Sequence, residues 1–281
     1  MLYIENSMNF KIEKSVVCLG KFDGLHKGHK KLIDCMKNFA GNDKKTVIFT
    51  FANHPTVFIK KNGMKLIDSK KERRKKLINT GADVIIEYPF NQVVASMEPE
   101  AFIEEILIKK LDAKCIVVGE DYRFGNHQKG DINLLRKYSI KYGYNIVVIP
   151  KLYLYGKPIS SSRIRNSINI GDMEVVKELL GESYGINLEI DKVLNDKYNN
   201  TIIYSKSISK EKLYPPEGEY LVSLIINEEK YKARAIISNY DIDNIFVEII
   251  LNKKFNILKG EAYIEILKSI NISGLEDVKA L

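Results

Sequence analysis

A ten-residue segment, residues 20–29, combines the residue types that bind phosphate. It reads GKFDGLHKGH and stands directly between an apolar β-branched run and a helical pattern. Glycines let the backbone approach a ligand closely, and the N-terminus of a helix offers unpaired amides and the positive end of a dipole. His26 and His29 are three residues apart, so both can face one anion, as hydrogen-bond donors that can be cationic near neutral pH. The segment therefore predicts a phosphate-binding loop.

Two simpler interpretations of this segment are a tight turn and a metal site. The glycines could only shape the turn, and His26 or His29 could only cap the helix. Their i, i+3 spacing could also present two ligands to a metal, but no nearby cysteine or carboxylate pattern completes a familiar site. Because strand, glycine, Phe-Asp-Gly and His-Lys-Gly-His follow in this order, phosphate binding is favoured, and no dedicated protein-held metal is predicted.

The elements around the loop indicate how it is positioned. Apolar β-branched runs alternate with helical patterns through the first two thirds of the chain, which predicts a parallel sheet covered by helices on both faces. The predicted strands are 16–19, 46–51, 84–87, 115–118 and 146–149, and the predicted helices are 30–39, 70–79, 99–110, 133–142 and 162–180. In such Rossmann-like α/β sheets, ligands bind at the carboxyl ends of the strands.

After residue 185 the pattern changes character. Alternating apolar and polar residues indicate antiparallel strands, and turn residues such as Pro215, Pro216 and residues 227–229 separate them. The predicted strands are 220–226, 231–237, 245–251 and 262–267. The sequence therefore predicts two domains, an α/β domain over residues 1–185 and a smaller all-β domain over residues 186–281.

The composition is that of a folded protein without a membrane span. Of the 281 residues, 45% are hydrophobic and 28% are charged, which excludes a disordered chain. No apolar run approaches ~20 residues, and the N-terminus lacks the basic-then-apolar order of a signal peptide, so a cytoplasmic protein is predicted. Cys18, Cys35 and Cys115 are widely spaced in apolar surroundings, which predicts buried free thiols.

Three later segments carry polar residues that could complete a nucleotide site. Residues 50–55 read TFANHP, residues 119–125 read GEDYRFG, and residues 159–165 read ISSSRIR. The serines of the last segment can cap the following helix, while Arg163 and Arg165 place guanidinium groups near its positive end, an arrangement suited to a triphosphate. The simpler interpretation is an ordinary serine N-cap with solvent-facing arginines.

The aromatic residues of the middle two segments have two interpretations. Phe51, Tyr122 and Phe124 could stack on a flat ring system such as an isoalloxazine, with Asp121 and His54 as polar contacts at its edge. Each aromatic side chain could equally be core packing beside a strand end. The residues alone leave this choice open.

Taken in order, the four segments resemble the HxGH nucleotidyltransferase superfamily, and more closely the bacterial bifunctional riboflavin kinase/FAD synthetase family. The expected pattern reads roughly as G-x-F-D-G-x-H-x-G-H, then H-P, then G-x-D-F-x-F-G, then I-S-S-T-x-x-R. The chain matches all four within residues 16–181. Ser162 stands where threonine is usual, a departure that keeps the hydroxyl.

The resemblance implies an FAD synthetase, which transfers AMP from ATP to FMN and releases pyrophosphate. It implies His26, His29 and Arg165 as catalytic residues, Mg²⁺ bound together with ATP, and FMN as substrate with FAD as product. Further residues implied to bind ATP are Gly20, Phe22, Asp23, Gly24, Gly28, Ser160, Ser161, Ser162 and Arg163. Those implied to bind the flavin are Phe51, His54, Pro55, Asp121, Tyr122 and Phe124.

The second domain occupies the place of the family's riboflavin kinase module. That module is expected to contain a Gly-Phe-Pro-Thr-Ala-Asn-like segment, whose threonine and asparagine hold Mg-ATP, and a later glutamate that acts on riboflavin. The corresponding residues 199–207 read NNTIIYSKS and lack this segment, although Glu248 falls where the glutamate is expected. The prediction is a riboflavin-kinase-like barrel that is degenerate, and that supports the first domain or still binds a flavin.

Other functions compete with this interpretation. They are the fully bifunctional enzyme, a nucleotidyltransferase with another acceptor, a flavin- or nucleotide-binding regulator, and an RNA-binding protein that uses the net charge of +8. Much of that charge is scattered lysine, and the basic run at residues 70–76 is interpreted as a solvated helix face. No RNP-like aromatic segment supports RNA binding. The predicted partners are therefore ATP and FMN, without nucleic acid or membrane.

Overall fold

The computed structural model describes residues 1–60, 64–207, 209–239, 245–254 and 260–272. The chain forms two compact units. The first consists of Met1–Met64 and Lys70–Ile159, and the second of Lys65–Ser69 and Ser160–Leu281. The predicted assignment of separate functions to residues 1–185 and 186–281 stays a prediction.

The first unit is built on a six-stranded parallel sheet. Its strands are β1 (Leu2–Glu5), β2 (Ser15–Leu19), β3 (Lys45–Phe51), β4 (Val84–Tyr88), β5 (Ala113–Gly119) and β6 (Asn145–Ile149). They lie in the order β1-β4-β3-β2-β5-β6, and each neighbouring pair is parallel. All residues of β2 and β4 are buried, which explains why these strands are largely apolar, with Glu87 as a charged residue in β4. The predicted Rossmann-like sheet is confirmed.

Helices and short turns connect these strands. They are α1 (Lys27–Ala40), α2 (Pro55–Lys60), α3 (Lys70–Ile78), α4 (Gln92–Ala95), α5 (Pro99–Ala101), a π-helix (Phe102–Lys110), a 3-10 turn (Asn126–Gln128) and α6 (Ile132–Tyr142). A small hairpin, β7 (Tyr153–Leu154) and β8 (Lys157–Pro158), follows β6. Alternate residues of β2 enter different cores, Val16 with α1 residues such as Met36, and Val17 with π-helix residues such as Ile103. Helices therefore cover both faces of the sheet.

The direction of strand addition reverses between β2 and β5. Strands β3 and β4 lie on one side of β2, whereas β5 and β6 lie on the other. In an open parallel sheet, the loops that leave the carboxyl ends of such a central pair diverge and open a crevice. The loops that begin at residues 20 and 120 therefore start side by side at the expected ligand-binding edge.

The second unit contains two helices and a closed antiparallel barrel. The helices are α7 (Ser161–Asn169) and α8 (Met173–Leu180), and the strands are β9 (Tyr184–Asn195), β10 (Thr201–Ser207), β11 (Gly218–Ile226), β12 (Glu229–Asn239), β13 (Ile245–Leu251) and β14 (Gly260–Ile272). The barrel order is β10-β13-β12-β11-β14-β9. On β11, Tyr220, Val222 and Leu224 point into the core, which reproduces the predicted alternation. The predicted all-β domain is thus confirmed as a barrel.

Some predicted elements differ from the structure. The single helix predicted over 162–180 is two helices, because Gly171 has φ of 73° and Asp172 starts α8 by accepting a hydrogen bond from the Val175 backbone. The predicted turn at residues 227–229 is confirmed, since Asn227 and Glu228 have φ of 50° and 70°, as a two-residue type I′ hairpin requires.

Among the described residues, no helix is long and apolar enough to cross a bilayer. All three cysteines are free thiols; Cys18 and Cys115 are buried and Cys35 is partly exposed.

Candidate active site

Two imidazole rings stack at the start of α1. His26 is the N-cap residue of this helix, and its Nδ1 accepts a hydrogen bond from the His29 backbone N–H at 3.2 Å. The ring centroids of His26 and His29 are 3.7 Å apart and the planes differ by 12°. His26 thus caps the helix, as the simpler interpretation predicted. Because Nδ1 is the acceptor, the neutral ring carries its proton on Nε2, which can donate to a ligand.

Two glycines allow this compact arrangement. A Cβ on Gly20 would lie 2.9 Å from Cζ of Phe22, and a Cβ on Gly28 would lie 3.1 Å from the His26 ring. The Phe22 side chain is buried and its ring centroid lies 5.1 Å from that of His29. Gly20 and Gly28 therefore let neighbouring rings fold back onto the backbone, which fixes both imidazoles. Asp23 and Gly24 are buried in the same loop.

Burial makes both imidazoles poor bases. Burial lowers the pKa of His26 to about 4, although its own backbone and the Asp121 carboxylate oppose the shift. Burial, and secondarily His26 beside it, hold the pKa of His29 well below its usual range. Both lowered pKa values favour the neutral rings at pH 7 in the ligand-free protein, and the cationic form in the presence of phosphate stays a prediction. No hydrogen bond reaches the buried Nδ1 of His29.

We expect the free energy of unfolding to decrease as the pH falls from 7 towards 4. Below the unfolded-state pKa of about 6.5, the unfolded chain binds a proton that folded His26 excludes. Within this window His26 removes about 1.4 kcal/mol of stability per pH unit, and His29 acts in the same direction. Urea unfolding at several pH values would measure the slope. The His26→Asn variant keeps a capping side chain without titrating, so an unchanged slope in that variant would refute the assignment.

The loop after β5 brings a carboxylate to the same edge. Asp121 lies two residues beyond the end of β5, and its charge acts on His26. Its Oδ2 lies 3.0 Å from Nζ of Lys151, which follows β6. The Asp121 side chain is 66% exposed, so this ion pair is solvated and contributes little stability. Sequence reasoning missed Lys151, whose only signal was its position just beyond the neighbouring strand.

The two aromatic residues of this loop have different surroundings. Phe124 is a core residue, packed 5.6 Å from the Phe102 ring, and its backbone exchanges hydrogen bonds of 3.1 and 2.9 Å with Gly130. Tyr122 is partly exposed, and its ring is stacked on Phe124 with centroids 5.7 Å apart. The core interpretation therefore describes Phe124. Flavin contacts of Tyr122 and Phe124 stay predictions.

A chain of aromatic rings follows β3. Phe51, the last residue of β3, packs edge-to-face on Phe90 at 5.0 Å, and Phe90 packs edge-to-face on Phe58 at 5.5 Å. Phe58 is 37% exposed, so this row of three aromatic rings extends from the core to the surface. His54 is buried and precedes α2; its Nδ1 accepts a hydrogen bond from the Thr56 backbone at 3.2 Å, and Pro55 opens the helix. Sequence reasoning missed Phe58 and Phe90, which only the fold brings beside Phe51.

The basic run anchors this segment. Nη2 of Arg73 donates to the Phe51 carbonyl at 3.0 Å and to Oε1 of Glu87 at 2.6 Å, and both charged side chains are buried. Nζ of Lys70 donates to Oδ1 of Asn53 at 3.3 Å. The prediction of a solvated helix face is therefore wrong for Arg73, because its cation satisfies a carbonyl at the end of β3.

Replacing Arg73 with methionine should lower the free energy of unfolding by about 3–5 kcal/mol, because the Glu87 carboxylate would remain buried without its cation. Chemical denaturation measures this loss. The double variant Arg73→Met/Glu87→Gln removes the stranded charge and should recover part of the stability. If the free energy of unfolding of Arg73→Met lay within about 1 kcal/mol of the parent value, the pair would contribute no more than an exposed ion pair and would not hold the segment.

The fourth segment begins α7 in the second unit. Ser160 is its N-cap, and its Oγ accepts a hydrogen bond from the Arg163 backbone at 3.3 Å. Ser161 and Ser162 occupy the first turn, where the positive end of the helix dipole lies. Nε of Arg165 donates to the Lys65 carbonyl at 3.3 Å. The predicted serine cap is confirmed, and Arg165 is held by the backbone rather than simply facing solvent.

The first unit has the features of a nucleotide-binding α/β protein. Its parallel sheet carries a phosphate-binding type of loop and a helix N-terminus at the switch point, the place between β2 and β5 where the direction of strand addition reverses. The family described as FAD synthetase matches residues 9–163. Two relatives are each described as a bifunctional riboflavin kinase/FMN adenylyltransferase. The Buchnera aphidicola subsp. Acyrthosiphon pisum protein is 33% identical over 77% of this chain and 70% of its own length, and the Bacillus subtilis protein is 31% identical over 78% and 70%. The chain belongs to the FAD synthetase family.

A solved structure also resembles this chain along nearly its whole length. The crystal structure of a Streptococcus pneumoniae protein described as a macrolide-efflux protein matches with a TM-score of 0.79 and 25% sequence identity. The match covers 99% of this chain and 94% of that one. The α/β unit and the barrel therefore occur together in another protein.

Proposed function

We propose that this protein is an FMN adenylyltransferase, which transfers AMP from ATP to FMN and gives FAD and pyrophosphate. The stacked pair His26 and His29, at the N-terminus of α1 and at the switch point of the sheet, carries this proposal. Its partners are the small molecules ATP and FMN, and the predicted cytoplasmic location is part of the proposal. Family membership supports the choice of acceptor.

In the reaction, an oxygen of the FMN phosphate attacks the α-phosphorus of ATP. The new phosphorus–oxygen bond forms as the bond to the departing pyrophosphate breaks, without a covalent enzyme intermediate. Such chemistry is catalysed by positioning and by stabilising charge. Nε2–H of His26 and the first amides of α1 are suited to the ATP phosphates, in a loop that Gly20, Phe22 and Gly28 shape.

The low pKa values of the histidines fit this role. A neutral imidazole donates one hydrogen bond without carrying a buried charge in the free protein. When phosphate oxygens arrive, their negative charge raises the pKa of His26 and His29 and favours the cationic form. The two imidazoles can then become positively charged while negative charge develops on the departing pyrophosphate. Asp23 and Gly24 are proposed to line the same nucleotide loop.

The segment that starts α7 is proposed to serve the triphosphate. Ser160, Ser161 and Ser162 offer hydroxyls at a helix N-terminus, and Arg163 and Arg165 lie in its first two turns. Arg165 is the proposed ligand of the β- and γ-phosphates, since a guanidinium binds phosphate through paired donors. Its substitution tests this role separately from that of the histidines.

The flavin is proposed to lie against the loops that follow β3 and β5. The row of rings formed by Phe51, Phe90 and Phe58 offers an apolar wall that reaches the surface, and buried His54 and Pro55 follow Phe51 along the chain at the start of α2. Tyr122, Phe124 and Asp121 belong to the second loop, where the partly exposed Tyr122 ring offers a flat surface, the buried Phe124 ring supports it from behind, and the carboxylate offers a polar contact.

Magnesium is proposed to enter with ATP. Within the described ranges, no group of three or more His, Cys, Asp or Glu side chains could hold a metal ion. Mg²⁺ commonly keeps several waters and binds substrate phosphates with few protein ligands. When bound, it would neutralise charge on the triphosphate.

The test is to incubate the purified protein with Mg-ATP and FMN, and to resolve FMN, FAD and pyrophosphate by chromatography. FAD and pyrophosphate should form in equal amounts, and chelation of Mg²⁺ should stop both. If FMN is recovered unchanged while the protein is folded and binds ATP, the acceptor is a different phosphate-bearing molecule and this proposal fails.

A further inference from the structure

A short segment between α2 and α3 belongs to the second unit rather than the first. This strap, Lys65–Ser69, contains four consecutive buried residues, 66–69. The backbone N–H of Leu66 donates to the Glu211 carbonyl at 2.8 Å, and the N–H of Leu213 donates to the Leu66 carbonyl at 2.6 Å. The strap therefore pairs like a strand with the chain that joins β10 to β11.

A buried lysine of the barrel unit holds the middle of the strap. Nζ of Lys212, which is 2% exposed, donates to the Ile67 carbonyl at 3.0 Å and lies 4.4 Å from the centre of the Tyr184 ring. The Tyr184 hydroxyl lies 2.8 Å from the Ile67 carbonyl and 2.6 Å from the Leu213 carbonyl, so its one proton is shared between the strap and the segment paired with it. Buried lysines are rare because removing an ammonium from water is costly. The Lys212 ammonium therefore holds the strap at Ile67, and the Tyr184 hydroxyl bridges the strap to Leu213.

The first residue of the strap contacts Arg165. Nε of Arg165 donates to the Lys65 carbonyl at 3.3 Å, and Nζ of Lys65 donates to the Lys210 carbonyl at 2.6 Å. A guanidinium is planar, so fixing Nε sets the direction in which its two terminal nitrogens point. The orientation of Arg165 thus depends on where the strap lies.

We propose that Lys212 is a positioning residue for Arg165 in adenylyl transfer, and that it acts through the backbone of the strap. The inference rests on the proposed function, in which Arg165 binds ATP phosphates. It assigns the barrel unit a task that requires no kinase chemistry, because the buried ammonium orients a nucleotide-binding side chain of the same unit.

The test compares Lys212→Met, Arg165→Met and the double variant. Lys212→Met should raise KM for ATP about tenfold, the scale of a misplaced positioning group, and leave KM for FMN unchanged. In the Arg165→Met background the same change should have little further effect, because the two residues act in one chain. Lys212→Arg keeps a donor and should restore most of the affinity for ATP.

Two further variants separate positioning from general damage. Lys230→Met removes an exposed barrel lysine paired with Glu265, and should leave both KM values unchanged. Tyr184→Phe removes only the hydroxyl that bridges the Ile67 and Leu213 carbonyls, and should raise KM for ATP by a smaller factor than Lys212→Met. It serves as the decisive variant if Lys212→Met does not fold, as judged by thermal unfolding.

Calorimetric titration with Mg-ATP distinguishes the two possible failures. If the parent protein binds Mg-ATP but forms no FAD, the proposed function fails, and the Kd values of the variants still decide the role of Lys212. If FAD forms and neither Lys212→Met nor Tyr184→Phe changes KM or Kd for ATP, the inference is overturned while the proposed function stands. Additive effects in the double variant also overturn it, and a parent protein that neither binds Mg-ATP nor forms FAD overturns both.

Discussion

Replacement of His29 by alanine should lower kcat for FAD formation about 10²- to 10³-fold, the usual cost of removing one donor that stabilises developing charge. The His29 ring is stacked on His26 and lies against the buried Phe22 ring, so its position is fixed before substrate arrives. KM for FMN should change little, because the lost interaction strengthens only as pyrophosphate departs. Steady-state kinetics with both substrates varied would measure this pattern.

The matched control is His127→Ala. His127 is an exposed histidine in the loop after β5, and its removal should leave kcat within about twofold, as for other surface changes. His26→Asn should show an intermediate loss, because asparagine still caps α1 but lacks the imidazole. If His29→Ala kept a third or more of the parent kcat with unchanged stability, charge stabilisation by this ring would be refuted.

The elements that the sequence predicts correctly are mainly the buried ones, because burial requires apolar residues in a recognisable pattern. Most residues of strands β2 to β6 are buried or half-buried, so their apolar runs stood out. In the short edge strand β1, Leu2 and Glu5 are exposed and the two residues between them are half-buried, and this strand was missed. β9 was missed although its buried residues Ile186, Leu188 and Ile190 alternate with outward-facing polar residues. β10 was missed because Thr201 and Ser205 are buried polar residues while Tyr204 points outward, which obscures the apolar alternation. The outward charges of the two strands pair with one another, at Lys206 Nζ distances of 3.6 Å to Glu189 and 3.2 Å to Asp191.

Site residues that lie in one continuous segment could be predicted from the sequence. Contacts between residues that several strands bring together could not. The loop at residues 20–29 was found from its own residues. The neutrality of His26 and His29 was not, because their pKa values depend on burial, which spacing does not report. Arg73 and Lys151 were likewise missed, since each contacts a segment brought near only by strand pairing.

The barrel is the part of the protein on which phosphorylation of riboflavin would depend. The residues that correspond to the expected nucleotide-holding segment lie largely in β10, which is paired on both sides in the closed barrel. The turn before it is closed by Asp196, whose Oδ1 accepts hydrogen bonds of 2.8 Å from the Tyr198 and Asn200 backbones. The strand backbone is therefore occupied by its neighbours rather than presented to a phosphate.

Glu248 has a setting that suits a barrel surface. It pairs in register with Tyr204 on β10 and with Ile236 on β12, and both of these neighbours are exposed on the outer face. The adjacent Val247 and Ile249 point into the core. Phosphoryl transfer depends on groups that hold the nucleotide and its Mg²⁺, so a carboxylate that acts on the riboflavin hydroxyl has no phosphoryl donor beside it without them.

The protein should therefore form no FMN from riboflavin and Mg-ATP above a protein-free blank, while the same preparation converts FMN to FAD. Chromatography with flavin fluorescence resolves riboflavin, FMN and FAD in one run, and adding FMN to the spent reaction verifies that the enzyme is still active. Glu248→Gln should leave FAD formation unchanged, because its partners on the barrel face need no charge from it. FMN produced at an ordinary enzymatic rate, and lost in Glu248→Gln, would establish a functional kinase. Without riboflavin kinase activity in this protein, its substrate FMN would have to come from a separate enzyme that phosphorylates riboflavin.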